Sequence, residues 1–176
     1  MDKTKIIETI RNAGIIGAGG AGFPTYMKLN ASVDTIIING AECEPLLYKD
    51  KELMRLFPEE MVAGLNISME ITGAKTGIIA LKAKNKEAIP VLKEICKKYK
   101  GIRVEIVDDV YPFGDEVILV YEVTKRIVPP AGIPLQVGCV VSNSETFINV
   151  YRAINKNEPV IYKYLTLAGE VKHPVT

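Results

Sequence analysis

Four glycines fall within six residues, Gly17-Ala18-Gly19-Gly20-Ala21-Gly22, and Phe23-Pro24-Thr25 and then Lys28 follow them. A backbone run with so little side chain can turn through positive φ and offer its N–H groups directly to a large ligand. Three other stretches carry residues suited to finishing a site: Asn39 to Glu44, Gly114 to Glu116, and Asn143 to Thr146. Asn39 and Asn143 have amides that both donate and accept hydrogen bonds, although asparagine serves equally in turns and caps. Thr146 sits where a helix starts, a position that suits a phosphate or a simple cap. Glu42, Glu44, Asp115 and Glu116 read singly as solvated acids, but together they suit ribose hydroxyls. Phe23 is either an aromatic plate for a ring or a core side chain, and Lys28 either a counter-charge or a solvated lysine. Cys43 lies between two glutamates, which disfavour its thiolate, so an unreactive thiol is expected.

Gly17, Gly19 and Gly22 spell G-x-G-x-x-G, with Glu42 twenty residues past Gly22. That pattern signals a dinucleotide fold only when a strand precedes it and a helix opens directly after it. Here a helix precedes and Phe23-Pro24 follows, so the ordinary fingerprint is a poor description. No G-K-[ST] follows either, which excludes a Walker loop. The plain alternative is a glycine-rich surface turn.

The elements that would hold these residues follow from the apolar pattern. Lys3 to Asn12 reads as a helix with Thr4 able to cap it, and Tyr26 to Leu29 as a short helical turn aiming Lys28 back at the loop. Thr35 to Ile38 is a β-branched strand suited to a sheet covered on both faces. Its carboxyl end is Asn39-Gly40, the kind of place where α/β sheets bind ligands. Lys49 to Phe57 is a polar connection or short helix. Pro58 to Gly73 is a helix, Thr76 to Leu81 a strand, Lys86 to Tyr99 an amphipathic helix and Val104 to Val107 a strand. This alternation predicts parallel βαβ units and an α/β fold. Val117 to Thr124 is expected helical, Val128 to Pro134 a rigid exposed connector, Val137 to Val141 a strand, and Phe147 to Asn155 a helix. Val160 to Leu167 alternates as a strand, then turns toward His173-Pro174 with nothing left to pair with. An unpaired terminal strand is a liability, so the chain is expected to be cut just inside a following domain.

The totals narrow the classes. The chain has 176 residues, enough for one domain with a proper core. It carries 22 Lys+Arg against 21 Asp+Glu, a net charge of +1, which argues against nucleic acid as a partner. Apolar runs are too short for direct membrane insertion, and the polar N-terminus lacks a signal-peptide core, so a cytoplasmic protein is expected. Cys43, Cys96 and Cys139 form no C-x-x-C pair and His173 is the single histidine, so no metal site is expected.

The run Gly17-x-Gly-Gly-Ala-Gly-Phe-Pro-Thr-x-x-Lys28 followed by Asn39-Gly-Ala-Glu-Cys-Glu-Pro45 resembles the flavin-binding subunit of respiratory complex I. It resembles more closely the C subunit of the Rnf ferredoxin:NAD oxidoreductase complex, whose relatives include the microcompartment cobalamin reductase and the proline reductase-associated electron-transfer protein. Tyr111-Pro-Phe-Gly-Asp-Glu116 occupies the place of that family's Gly-Glu-Glu motif, and Asn143-Ser-Glu-Thr146 matches its Asn-Val-Glu-Thr type of segment. The resemblance implies a Rossmann-like parallel-sheet FMN-binding domain over residues 1–160. Residues 161–176 would then begin a truncated β-grasp (SLBB) domain, with 4Fe-4S clusters only further on.

It also implies non-covalent FMN and NAD(H) as substrate. The cofactor-binding residues implied are Gly17, Gly19, Gly20, Gly22, Lys28, Asn39, Glu42, Cys43, Tyr111, Gly114, Asp115, Glu116, Asn143, Ser144 and Thr146. Phe23 and Glu44 would meet NADH, and there would be no catalytic side chain and no protein-bound metal. The loop N–H groups would face ribityl or phosphate oxygens of the flavin. In that reading hydride passes between NADH and FMN, and the flavin splits the electron pair for iron–sulfur centres elsewhere. The partners would be other subunits of a redox complex or a downstream acceptor, with any membrane anchor supplied by them. Two positions depart from the complex I pattern: Ala18 replaces an arginine and Ala41 an aspartate. They keep open an alternative, a non-catalytic nucleotide-binding or docking module.

Overall fold

The computed structural model describes residues 2–176. Strands β1 (Thr35–Gly40), β2 (Thr76–Lys82), β3 (Ile102–Val107) and β4 (Cys139–Asn143) form one sheet in the order β3-β2-β1-β4. Every pairing is parallel, as the strand–helix alternation predicts. The β-branched run of β1 is buried on both faces: Ile36 and Ile38 join the larger core, while Ile37 turns to the smaller one. The chain steps from β1 outward to β2 and β3, then returns to lay β4 on the other side of β1. The reversal point between β1 and β4 is where open α/β sheets place their ligand crevice.

On one face lie α1 (Lys3–Asn12), α2 (Thr25–Asn30), α3 (Lys49–Leu56), α4 (Pro58–Thr72), α5 (Ala88–Cys96) and α7 (Ser144–Tyr151). The opposite face is covered by α6 (Glu116–Thr124), whose Leu119 and Val120 pack on Ile37, Ile78 and Val141. Helix α4 begins with Pro58 and an acidic first turn and stops at Gly73, which takes a left-handed φ of 80° as its C-cap. It crosses α7 so closely that a Cβ on Gly64 would sit 1.9 Å from the Phe147 carbonyl oxygen. Only glycine permits that approach, and it sets the position of α7 and of the strand end before it.

Several expected boundaries shift. Asp2, not Thr4, caps α1, accepting the Thr4 N–H at 3.0 Å. Helix α5 is shorter than Lys86 to Tyr99. Val137 ends a 3-10 turn (Pro134–Val137) instead of opening β4, and α7 starts three residues early and runs into a π-helical turn, Arg152–Lys156. The connector at Val128 to Pro134 is not wholly exposed, because Val128 and Pro134 are buried. Val160 to Leu167 is no strand. It lies along the body, with the Val160 N–H on Ala13 O at 2.9 Å, and Leu167 does find a partner: it exchanges two backbone hydrogen bonds with Val175, at 2.7 and 3.0 Å. Among the described residues no helix is long and apolar enough to cross a membrane.

Candidate functional site

The glycine loop, the carboxyl ends of β1 and β4, and the segment before α6 surround one cavity of about 960 Å³. That is the upper end of the range for small-molecule sites. Asn39 and Asn143 are register partners on adjacent strands, so the two asparagines lie side by side in its floor. Both amides are also tied into the protein. Asn39 donates to Gly114 O at 2.8 Å and accepts from Ala41 N–H at 3.2 Å, which fastens the 111–116 segment to β1. Asn143 donates to both carboxylate oxygens of Asp50, at 2.9 and 2.8 Å, and caps α7 by accepting the Glu145 N–H at 3.1 Å.

In the loop, Gly17, Gly19 and Gly20 line the cavity and Gly22 stands off it. Gly20 has a φ of 123°, and no atom lies within 4 Å of where its Cβ would be. Its open side is therefore empty space rather than packed protein, so a ligand can approach the backbone there. Gly17 N–H closes the loop on Phe23 O at 2.8 Å. Phe23 is 36% exposed on the cavity wall, which removes the core-packing alternative. The Lys28 ammonium lies 5.5 Å from the Phe23 ring centroid and donates to Val141 O at 2.8 Å. Burial lowers the Lys28 pKa, and Glu116 at 3.9 Å works against that.

Glu42, Glu44, Asp115 and Glu116 all reach the cavity, as do Cys43, Tyr111 and Gly114. Asp115 caps α6, accepting from the Val117 and Ile118 N–H groups at 2.9 and 3.1 Å. The Cys43 sulfur accepts the Gly114 N–H and donates to Ala41 O, so it is a joint between two loops. The Glu42 carboxyl is pushed up to a pKa of about 7, first by burial and then by repulsion from Asp50. Burial likewise raises the pKa of Asp50.

Ser144 and Thr146 are fully buried behind the wall. The Thr146 hydroxyl accepts the Ala18 N–H at 3.1 Å, so it holds the loop from behind rather than meeting a ligand. Ala41 is likewise fully buried, in the core under α6. Residues that the sequence reading passed over also line the cavity: Lys49, Asp50, Lys163, Leu165 and Thr166 among them. The adjacent opposite charges of Lys49-Asp50, shortly after Glu44, were a usable signal. Nothing local marks Lys163. Among the described residues no group of His, Cys, Asp and Glu converges for a metal.

A parallel α/β domain with a large cavity at its strand-order reversal, walled on one side by a glycine loop, has the architecture of a nucleotide- or flavin-type binding domain. The family model of the Nuo51 FMN-binding domain matches residues 10–152, and the chain belongs to that family. It is 47% identical over 175 residues to the cobalamin reductase PduS of Citrobacter freundii, covering 99% of this chain and 38% of that protein. It is 35% identical over 181 residues to the C subunit of the Na(+)-translocating ferredoxin:NAD(+) oxidoreductase complex of Acetobacterium woodii, covering 100% of this chain and 41% of that protein. This chain thus spans about two fifths of the length of these relatives. Among solved structures it is similar to the NAD+-reducing NiFe-hydrogenase in the air-oxidized state, with a TM-score of 0.72 and 28% identity over 88% of this chain and 31% of that one.

Proposed function

We propose that this chain is the flavin-holding part of an electron-transfer subunit, carrying electrons between NAD(H), FMN and iron–sulfur centres outside it. The observation that carries the reading is the glycine loop: Gly20 at positive φ with open space where a Cβ would be, facing a cavity large enough for a flavin nucleotide. When bound, FMN supplies the two-electron to one-electron exchange. The chain's residues supply the rest. The N–H groups of Gly19 and Gly20 meet ribityl or phosphate oxygens, with Lys28 as counter-charge beside the loop. Phe23 gives an apolar plate next to the ring system, where the nicotinamide nucleotide would lie. Glu44, at the mouth, accepts ribose hydroxyls. Glu42, whose pKa is pushed up to about 7, can in its neutral form donate a hydrogen bond within the cavity, which a carboxylate does not. No side chain is required as nucleophile or general base.

The competing reading, a nucleotide-binding or docking module without turnover, rests on Ala18, which lines the cavity without a polar side chain. Stopped-flow mixing of FMN-loaded protein with NADH separates the two. Bleaching of the flavin band on mixing is the expected result, and nucleotide binding without bleaching would favour the module.

A further inference from the structure

Glu145 is 1% exposed at the side chain, yet two lysines far apart in sequence, Lys49 and Lys163, converge on it. Lys49 Nζ lies 3.1 Å from Glu145 Oε2 and Lys163 Nζ 2.7 Å from the same atom. Both ammonium groups also donate to one backbone oxygen, the carbonyl of Ala18, at 3.2 and 3.1 Å. The Ala18 N–H is held from the other side by Thr146. Ala18, the second residue of the glycine loop, thus has its N–H and its C=O both fixed by side chains, one of them 145 positions away in sequence. A buried carboxylate of this kind is retained at a cost unless it is paired and hydrogen-bonded, and here the pairing is spent on the loop.

Lys163 does not reach the loop by chance of an unattached tail. Tyr164 is seated on the body, its hydroxyl accepting from Arg152 Nη1 at 3.0 Å and its ring 6.0 Å from that of Phe57. Thr166 Oγ1 accepts the Tyr48 N–H at 3.2 Å. With Tyr164 turned inward, Lys163 and Leu165 turn to the cavity. Lys163, Tyr164, Leu165 and Thr166 lie past residue 152, where the family match ends, whereas the residues they dock on lie within it.

We propose that Lys163 is a positioning residue for the site: acting with Lys49 through Glu145 and the Ala18 carbonyl, it latches the glycine loop in its ligand-ready shape. The loop's glycines lower the steric cost of alternative backbone shapes, so a loop of this composition needs an external tether to be preorganised. Lys163 supplies it from the segment that follows the α/β body. The link to flavin rests on the function proposed above, whereas the latch itself does not.

The test uses the full chain as wild type, Lys163→Met and Lys163→Arg. Methionine keeps the apolar stem and removes the charge. Hydrogen exchange in the ligand-free protein reads the latch directly. The amides of Gly17 and Ala18, the two loop N–H groups with acceptors, are expected to exchange about tenfold faster in Lys163→Met, the worth of one charge-assisted hydrogen bond. Those of β1 and β2 should be unchanged, and Lys163→Arg should restore protection. FMN titration should show about tenfold weaker binding in Lys163→Met and recovery in Lys163→Arg. Unchanged loop exchange in Lys163→Met overturns the latch. Equal FMN affinity in Lys163→Met and wild type overturns its role in the site. If wild type itself does not bind FMN, the proposed function falls, and the exchange result still decides the latch. If Lys163→Met does not fold, the same measurements on Lys163→Gln decide it.

Discussion

Gly20 and Glu42 are the residues most open to direct test. Gly20→Val puts a branched side chain where a φ of 123° is strained for any L residue and where the space is otherwise empty. The protein should lose FMN affinity by about tenfold or more while keeping its fold, because the new side chain meets cavity and not core. A titration giving wild-type affinity would mean that the loop is not the platform. Glu42 makes a pH prediction. Its pKa in the folded protein is about 7 against an ordinary 4.5, so the native state binds the proton more tightly than the unfolded one. Stability from this group is greatest below about pH 4.5, falls as the pH rises through 7, and is flat above. Glu42→Gln should therefore be more stable than wild type at pH 8, by about 1 kcal/mol after allowance for solvent. The gain should vanish at pH 4, as read by urea denaturation at the two pH values. Cys43 shows what residue types alone conceal. Its bond to the Gly114 N–H, across 71 residues, is not legible in the residue types.

At the scale of elements, β1 and β2 were legible because apolar runs buried on both faces leave few alternatives, and α4 because its proline, acidic first turn and terminal glycine agree. Ser144 and Thr146 carry the right types at a helix start, but the crossing of α7 over α4 turns them inward, and local sequence does not contain that crossing. The crossing rests on Gly64. Gly64→Ala would drive a methyl group into the Phe147 backbone, which has no flexible end to yield. The expected loss is about 2–3 kcal/mol or more, measured by urea denaturation, and it should lower FMN affinity too, because α7 carries the β4 strand end. A second element test is the cap of α6. Asp115→Ala removes the acceptor of two N–H groups and should cost about 1 kcal/mol. Asp115→Asn should keep most of that stability while removing a negative charge from the cavity.

For the whole molecule, what matters is that residues far apart in sequence meet at one reversal point of the sheet. The glycine loop, the Asn39 strand end and the 111–116 segment were legible as parts of a single site because each carries ligand-type residues at a turn. The contribution of residues 163–166 was not, since Lys163 and Thr166 look like any polar residues until Tyr164 docks on Phe57 and Arg152. Fold and family are settled by the parallel sheet and the match over residues 10–152. The chemistry depends on what fills the cavity. Titration of the ligand-free chain with FMN, followed by quenching of flavin fluorescence, tests this most directly. Saturable binding of one FMN per chain is predicted, with a dissociation constant of about 1 μM or tighter. Fluorescence that stays unquenched through excess protein would contradict it.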